Sequence, residues 1–305
     1  IRVVADEAVE KEFGTGIIKV TPAHDITDFE ISQRHNLRLV KIIDERGRMN
    51  ENAGIRYRGL KVSDARERVV KDLESLGLIE KIEDYEHNVG RCDRCDSVVE
   101  PLPSIQWFLK VAHLASLAKK AITEKEVVFH PERWTDISLR WLENIKDWNI
   151  SRQLWWGHKI PVDGESDVLD TWFSSALWPF ATLGWPDKSA EDLEEYYPTN
   201  FITSDRGILF LWQLRMLFSG KFFMGKAPFH HIYIHPTVLT KDGKRMSKSL
   251  GTGIDPAGLI EKYGTDALRF GLAYQNTGVQ DMKFSEDNIL MGKKFANKLW
   301  NINRY

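Results

Sequence analysis

The chain has 305 residues, of which 42% are hydrophobic and 28% charged, and these figures predict about two domains of a water-soluble globular protein. The formal net charge of −2 excludes a dedicated polycationic coat for nucleic acid, although lysines and arginines can still cluster locally. No run of about 18 apolar residues occurs, which excludes a membrane-spanning helix at the level of the sequence.

The chain starts with a predicted strand and helix. Residues 1–12 are mixed and charged and resemble neither a signal peptide nor a transit peptide, and the missing initiator Met suggests a fragment. Residues 14–21 join two glycines to a β-branched run, which predicts a strand entered through a turn. A helix is predicted at residues 27–35, with Asp25 or Thr27 as its N-terminal cap.

Further helices are predicted in the next hundred residues. Residues 41–47 read as a short strand and turn. Apolar side chains recur at spacings of three and four in residues 62–77, which predicts an amphipathic helix. Residues 83–102 are turn-rich, residues 107–123 are predicted to be helical, and Pro131 is expected to open another helix because proline is tolerated in a first turn.

After residue 148 the pattern changes to alternating strands and helices, which favours an α/β fold built from βαβ units. Strands are predicted at residues 201–203 and 231–235, the second as a buried parallel strand. Helices are predicted at residues 208–218, 255–263 and 285–303.

The sharpest chemical signal is a basic loop at residues 242–251. Lys244, Arg245 and Lys248 lie close together there, beside two serine hydroxyls and between glycines. Lysine supplies a point charge, arginine a bidentate fork and serine a further donor, so the loop can hold a polyphosphate. The alternative is a solvated basic turn, and composition alone does not decide between the two.

The amino-acid sequence of this loop resembles a known family signature. RMSKS at residues 245–249 resembles the KMSKS signature of class I aminoacyl-tRNA synthetases, and residues 149–161 and 167–175 are similar to the large synthetases for isoleucine, leucine and valine. VTPAHD at residues 20–25 looks valyl, since the isoleucyl family usually has a glycine on each side of that histidine. The resemblance to valyl-tRNA synthetases covers nearly the whole chain and ends at residues 295–301, where the family begins its anticodon-binding domain.

The resemblance implies an α/β fold containing the C-terminal half of a Rossmann-type catalytic domain, part of an inserted β-rich editing domain and the start of a helical domain. It places the end of the editing domain and its return connection at residues 1–147 and the second Rossmann half at 148–235. The KMSKS-loop and stem-contact region follows at 236–284, and the anticodon-binding domain starts at 285–305.

Three sites are implied by the same resemblance. At the ATP site, catalysis is assigned to Lys248 and Arg245. The ATP site is assigned to Lys248, Ser247, Ser249 and His235. The valine pocket is assigned to Trp172, Ile208 and Trp212. The pocket that hydrolyses threonyl-tRNA is assigned to Phe13, Lys19, Thr21, Asp25 and Asp28.

Each assignment has a plainer alternative. The valine-pocket residues read equally as a buried apolar face, a single histidine such as His235 is more often structural, and Asp25 is a natural helix cap. Cys92 and Cys95 form one CxxC, with His87 as a candidate third ligand, but a tetrahedral zinc site normally takes four. The resemblance suggests that the other zinc ligands belong to segments outside this chain.

Three departures from the family pattern matter. The His-x-Gly-His signature is missing, so this chain alone is not expected to activate valine at a useful rate. The stretch Asp205-Arg206-Gly207 has a glycine where the family expects the carboxylate that contacts the adenylate. The link at residues 162–166 is short, and Gly164 permits the tight turn that it needs.

The leading interpretation is part of an ATP-dependent ligase that forms valyl-adenylate, transfers valine to tRNA(Val) and hydrolyses mischarged threonyl-tRNA. ATP with Mg²⁺, valine and tRNA(Val) are the expected partners, zinc is a weaker expectation, and a cytoplasmic monomer without membrane contact is expected. Two alternatives stay open, a stand-alone editing hydrolase and a non-catalytic tRNA-binding scaffold.

Overall fold

The computed structural model describes residues 2–92, 95–246, 251–276, 278 and 281–305. The chain divides into two compact units, Ile1–Ile105 and Gln106–Tyr305. Each unit has its own secondary structure and buried side chains. The finer four-part division implied by the resemblance stays a prediction.

The first unit is built on two α-helices. Helix α1 spans Ile26–His35 and helix α2 spans Val62–Ser75, with a 3-10 turn at Glu51–Ala53 between them. The carboxylate of Asp25 accepts a hydrogen bond from the backbone N–H of Asp28, which satisfies one free amide of the first turn of α1. Both helices confirm the sequence prediction, including Asp25 as the cap.

The strand predicted at residues 14–21 is wrong. The glycine turn exists, since Gly14 and Gly16 have φ values of +58° and +67°, but residues 17–21 belong to no β-ladder of the described chain. A strand requires a hydrogen-bonded neighbour strand, and the Ile17 side chain within this segment is 81% exposed. The described residues of this unit form only isolated β-bridges, so the expected β-rich character is not confirmed.

The second unit alternates short strands and helices. Its strands are β1 (Phe108–Leu109), β2 (Val128–His130), β3 (Trp148–Asn149), β4 (Ser151–Arg152), β5 (Val168–Leu169), β6 (Thr199–Asp205), β7 (Phe229–His235), β8 (Val238–Leu239) and β9 (Met282–Lys283). Its helices are α3 (Ala112–Thr123), α4 (Arg133–Glu143), α5 (Thr171–Ser175), α6 (Trp178–Ala181), α7 (Glu191–Tyr196), α8 (Leu214–Met224), α9 (Pro256–Tyr263), α10 (Thr265–Gln275) and α11 (Glu286–Arg304).

A three-stranded parallel sheet of order β2–β7–β6 lies in this unit. The register pairs Ile232 of the central strand with Phe129 on one side and Ile202 on the other. Parallel strands joined through helices confirm the α/β class and the two strands predicted at residues 201–203 and 231–235.

The main core forms where helices α3, α4 and α8 pack with this sheet. Ala115, Ala118 and Ala121 are all buried in α3, and their small side chains allow α8 to approach closely. Phe129 and Phe218 are 2% and 1% exposed. Burying a side chain of this size contributes about 1.5–3 kcal/mol, so this cluster supplies much of the stability of the unit.

The structure departs from the predicted elements at two helix starts. The helix expected at residues 107–123 begins only at Ala112, because β1 pairs with β3 first. The helix expected at residues 208–218 begins as a 3-10 turn, Arg206–Ile208, and a π-helical turn, Leu209–Gln213, before α8. Single π-helical turns are frequent at functional sites.

A second, smaller core lies where α9, α10 and α11 meet. Leu259, Leu268 and Ile289 are buried in it, and Met246 packs against them. Helices α9 and α11 confirm the helices predicted at residues 255–263 and 285–303. Across the described parts of the chain, none of the helices combines the length and apolarity needed to cross a membrane.

Candidate active site

The carboxyl ends of β6 and β7 bring Asp205 and His235 together. The two residues are partners in the register of the sheet, at the edge where open α/β sheets bind their ligands. His235 is exposed, and its Nδ1 donates a hydrogen bond to the carbonyl oxygen of Pro236 over 3.0 Å. His235 therefore lies at the edge expected for a nucleotide.

Two hydrogen bonds hold the Asp205 carboxylate. Oδ2 accepts from the Thr237 hydroxyl over 2.6 Å, and Oδ1 accepts from the backbone N–H of Gly207 over 2.7 Å. Burial raises the pKa of Asp205, but these hydrogen bonds lower it more, with help from the neighbouring charges of His235 and Arg245. The net pKa lies below its usual value, so this carboxylate is ionised at neutral pH.

Arg245, the first residue of the RMSKS string in the basic loop, lies beside that carboxylate. A tight turn precedes it, in which the N–H of Gly243 donates to the carbonyl of Thr240 over 2.9 Å and Gly243 adopts a φ of +80°. One guanidinium nitrogen of Arg245 lies 3.7 Å from the position that a Cβ would take on Gly207. A positive charge thus lies over the end of the sheet.

The glycine at 207 and the acid at 205 depend on each other. A Cβ on Gly207 would lie 2.9 Å from Oδ1 of Asp205, which is too close for an ordinary contact. The glycine therefore lets Asp205 fold back onto its own chain. The Asp205 carboxylate, two residues before the position where the family pattern expects one, is bonded to Thr237.

Two of the residues predicted to bind ATP or to act in catalysis meet at this edge, namely Arg245 and His235. The other three, Lys248, Ser247 and Ser249, lie outside the residues that the structure describes. A triphosphate is bound through charge-assisted hydrogen bonds from cationic side chains, and the guanidinium of Arg245 can donate such bonds at this strand end.

Asp281 is a member of this site that the sequence did not reveal. Its Oδ2 accepts from the guanidinium of Arg206 over 2.6 Å, and its Oδ1 accepts from the N–H of Thr237 over 3.3 Å. One carboxylate thus connects the segments that follow β6 and β7 with the start of β9. No sequence signal could have found it, because its partners are distant in the chain.

The predicted valine-pocket residues lie in neighbouring elements. Trp172 belongs to α5, Ile208 ends the 3-10 turn, and Trp212 lies in the π-helical turn. The indole N–H of Trp212 donates to the backbone carbonyl of Ser175 over 3.0 Å, which ties the π-helical turn to the end of α5. All three side chains are half-buried, so each keeps surface that a ligand can contact.

Trp212 also lines a cavity of about 350 Å³, together with Ile202, Met216 and Phe229. This volume lies within the range of small-molecule pockets. Trp172 and Ile208 are not part of its lining. The hydrogen bond from Trp212 to Ser175 therefore joins the π-helical turn to α5. The three predicted residues do not line this cavity together.

The two family-like stretches at residues 149–161 and 167–175 pack against each other. They pair as β4 and β5, and the β-carbon that an alanine would add at Gly157 would lie 2.8 Å from the Val168 side chain. In the short link between them, the carboxylate of Glu165 accepts a hydrogen bond from the indole N–H of Trp107 over 2.7 Å. Gly164 has a φ of +83°, as the predicted tight turn requires.

Three of the five predicted editing residues meet at the start of α1. Oδ2 of Asp28 accepts from the N–H of Thr21 over 2.5 Å and from its hydroxyl over 3.0 Å, while the N–H of Asp28 donates to Asp25. Asp28 is buried and Asp25 is exposed. Phe13 and Lys19 are exposed on the preceding segment.

His24 joins this group from within the same family-like string. Its Nε2 accepts from the N–H of Ile42 over 2.9 Å, so the ring proton lies on Nδ1, which is 3.1 Å from the carbonyl oxygen of Pro101. The ring therefore fixes α1 against two other segments of the first unit.

The predicted zinc site is incomplete. Cys92 and Cys95 are free thiols, and hydrogen bonds to Ser97 lower the pKa of the Cys95 thiol. His87, the expected third ligand, stacks on the ring of Tyr85 with 5.7 Å between centroids. Among the described residues no three His, Cys, Asp or Glu side chains are grouped to hold a metal, so the four ligands of a structural zinc site are not assembled there.

Comparisons with family models and with related sequences identify the same family. The family described as tRNA synthetases class I (I, L, M and V) matches residues 19–164 and 162–285. Valine–tRNA ligases from Thermotoga maritima and Carboxydothermus hydrogenoformans are each 49% identical over the whole chain, and that from Petrotoga mobilis is 47% identical. The chain spans 38% of the length of each of these relatives.

Solved structures agree on the fold. Methionyl-tRNA synthetase of Mycobacterium tuberculosis in complex with methionyl-adenylate has a TM-score of 0.54 at 20% identity, covering 67% of this chain and 40% of that one. Its apo form has a TM-score of 0.51 at 14% identity, covering 86% and 52%. At these identities the likeness concerns the fold alone.

Proposed function

Because the chain belongs to the class I tRNA synthetases for isoleucine, leucine, methionine and valine, we propose that it forms part of a valine–tRNA ligase. The ligase joins valine to the α-phosphate of ATP with release of pyrophosphate, and it passes the valyl group from the adenylate to tRNA(Val) with release of AMP. The 46–49% identity to valine–tRNA ligases along the whole chain supports valine as the substrate. A cytoplasmic monomer without membrane contact belongs to the same proposal.

The observation that carries the proposal is the position of Arg245. Its guanidinium lies over the carboxyl ends of β6 and β7, beside Asp205 and close to Gly207. This is the edge where an α/β sheet binds a nucleotide. The position of the first RMSKS residue at this edge supports a role in binding a triphosphate over a basic turn remote from the cleft.

In the proposed reaction, a carboxylate oxygen of valine attacks the α-phosphorus of ATP. The new bond is an acyl–phosphate bond, and the α–β phosphoanhydride bond breaks, so pyrophosphate leaves with the electron pair. Arg245 and Lys248 neutralise the charge that grows on the leaving group, and such preorganised charge is usually the largest catalytic contribution. ATP enters as its Mg²⁺ complex, and His235 lies beside the nucleotide.

Editing of threonyl-tRNA is the second part of the proposal. A hydrophobic pocket that accepts valine rejects the isosteric threonine only weakly, so a separate hydrolytic site is needed. Thr21 and Asp28 are bonded to each other next to the exposed carboxylate of Asp25. In this proposal Asp25 or Asp28 binds the amino group of the misplaced threonine and Lys19 binds the tRNA end.

A chimera tests the proposal, in which this chain replaces the matching 38% of the Thermotoga maritima relative. Valine should support ATP–pyrophosphate exchange more strongly than isoleucine or threonine. Lys248→Ala should lower that exchange by about a hundredfold to a thousandfold, the usual loss for a residue that stabilises transition-state charge. Lys188→Ala, at an exposed lysine far from the loop in sequence, serves as the control.

A folded chimera without valine-dependent exchange would refute the ligase proposal. Hydrolysis of threonyl-tRNA without exchange would favour the editing hydrolase, and tRNA binding without either activity would favour the scaffold.

A further inference from the structure

The lining of a cleft with three cationic side chains shares no residue with the sheet-edge site of Asp205, His235 and Arg245. The cleft has a volume of about 490 Å³, and the cations that line it are Lys146, Arg152 and Arg215. The indole rings of Trp141 and Trp148 form part of its wall. Neither the ligase proposal nor the editing proposal uses any of these residues.

Arg215 is the most constrained cation of the cleft. Its guanidinium lies 3.8 Å from the centre of the Trp148 ring, and its side chain is 12% exposed. In the part of the chain that the structure describes, it donates one hydrogen bond, to Oδ2 of Asp170 over 3.3 Å. A guanidinium carries five N–H donors, so donors remain for a ligand.

Two guanidinium groups share one carboxylate beside this cleft. The NH2 group of Arg152 lies 3.3 Å from the same oxygen of Asp170, so one carboxylate serves two guanidinium groups. Asp147 is the other carboxylate near them, and it accepts from the N–H of Val111.

The two guanidinium groups also repel each other. Burial lowers the pKa of Arg215, Asp170 partly restores it, and the charge of Arg152 lowers it again. An anion in the cleft would relieve this repulsion and would accept from both groups. The cleft is therefore arranged to favour an anionic ligand.

We propose that this cleft binds a nucleotide, with its phosphate on Arg152 and Arg215 and its base along the indole wall that includes Trp141. Arginine is well suited to phosphate oxygens, aromatic rings are sequence-tolerant surfaces for bases, and the cleft has the volume of a small-molecule site. A free nucleotide and one unit of an RNA strand share this chemistry. The proposal goes beyond the ligase activity and does not depend on it.

Calorimetric titration of this chain with inorganic phosphate, AMP and a short single-stranded RNA tests the proposal. The protein carries Arg245→Gln, so that phosphate held at the sheet edge contributes less to the signal. AMP or RNA should bind more tightly than phosphate. Binding of AMP as tight as that of RNA assigns the cleft to a free nucleotide, and tighter binding of RNA assigns it to a strand.

Arg152→Gln is the decisive variant. It removes one positive charge and the hydrogen bonds from Arg152 to the carbonyls of Asn149 and Ser151, while Asp170 still accepts from Arg215 and from the indole N–H of Trp148. Losing one charge-assisted hydrogen bond should weaken binding about tenfold. Arg215→Lys keeps the positive charge but loses the paired N–H donors of the guanidinium, so it should also weaken binding.

Lys120→Gln, at an exposed lysine of α3, is the matched control, and thermal melts verify that each variant folds. The proposal is overturned if none of the probes binds, if phosphate binds as tightly as both nucleotide probes, or if Arg152→Gln and Lys120→Gln change binding equally.

Discussion

Asp205 shows how one carboxylate can connect several segments at the end of a sheet. It accepts from the Thr237 hydroxyl and from the Gly207 amide, and it lies beside Arg245. Asp205→Asn should lower the free energy of unfolding by about 1–2 kcal/mol, because two hydrogen bonds to a charged acceptor are weakened. Urea denaturation at neutral pH measures this loss.

The loss should depend on pH with a defined sign. The folded pKa of Asp205 lies below its usual value, so its stabilisation is present above the unfolded pKa of about 3.9 and is lost as pH falls through the folded pKa. The difference between parent and Asp205→Asn should therefore shrink in acid. Asp163→Asn, in an exposed turn, is the control, and an equal effect of both variants would show that the Asp205 contacts contribute nothing.

Asp25 has a structural role and a proposed chemical role that one pair of variants can separate. As the cap of α1 it accepts from the N–H of Asp28. Asp25→Ser keeps a capping oxygen but removes the charge, whereas Asp25→Ala removes both and should cost about 1 kcal/mol. If the carboxylate serves editing, both variants in the chimera should accumulate threonyl-tRNA, measured by deacylation assays.

If Asp25 is only a cap, Asp25→Ser should hydrolyse threonyl-tRNA at the parent rate while Asp25→Ala is merely less stable. That result would remove Asp25 from the proposed editing pocket and leave Asp28 as its carboxylate.

At the scale of elements, the crossing of α10 and α11 depends on glycine. A Cβ on Gly292 would lie 2.6 Å from the carbonyl oxygen of Ala267, and one on Gly271 would lie 2.9 Å from that of Asn288. Gly292→Ala should therefore push the helices apart and cost about 1–3 kcal/mol, the usual range for overpacking. Thermal unfolding followed by circular dichroism measures the change.

Gly258 provides the matched control for this prediction. It lies inside α9, and a Cβ there would meet nothing within 4 Å. Gly258→Ala should stabilise the protein by about 0.4–1 kcal/mol, because alanine has less conformational freedom to lose in the unfolded chain. Equal shifts in the two variants would mean that the close crossing is not required.

Helices could be predicted where their start signals are local. Asp25, Asp255 and Ser285 each cap the helix that follows, and each capping side chain bonds to a backbone N–H two or three residues later. Strand β2 could not be predicted, because it has three residues and forms through pairing with the distant β7. The run at residues 17–21 has strand-like composition but no neighbouring strand to pair with in the described chain.

The candidate site shows the same limit. Arg245 and His235 could be placed at the sheet edge from the sequence motif and the strand order, because both follow a predicted strand in the sequence. Asp281 could not, because its role comes from contacts with Arg206 and Thr237 across the fold. The exchange of Asp205 and Gly207 was visible in the sequence, but the hydrogen bonds that explain it were not.

At the scale of the whole molecule, the two units differ in how much apolar surface they bury. The buried hydrophobic residues described in Ile1–Ile105 are Ala23, Ile31, Ile43 and Ala65. The second unit buries many more, including large aromatic side chains. Since burial of apolar surface drives folding, the first unit should be the less stable of the two.

The positions of the tryptophans make this difference measurable. All 11 lie after residue 105, so tryptophan fluorescence reports the second unit only, while circular dichroism also reports α1 and α2. With rising urea, the dichroism signal should begin to fall before the fluorescence changes, because the smaller core of the first unit gives way first. Hydrogen exchange should correspondingly be faster in α2 than in α3 or α8. Coincident transitions and uniform exchange protection would instead show that the two units unfold as one cooperative body.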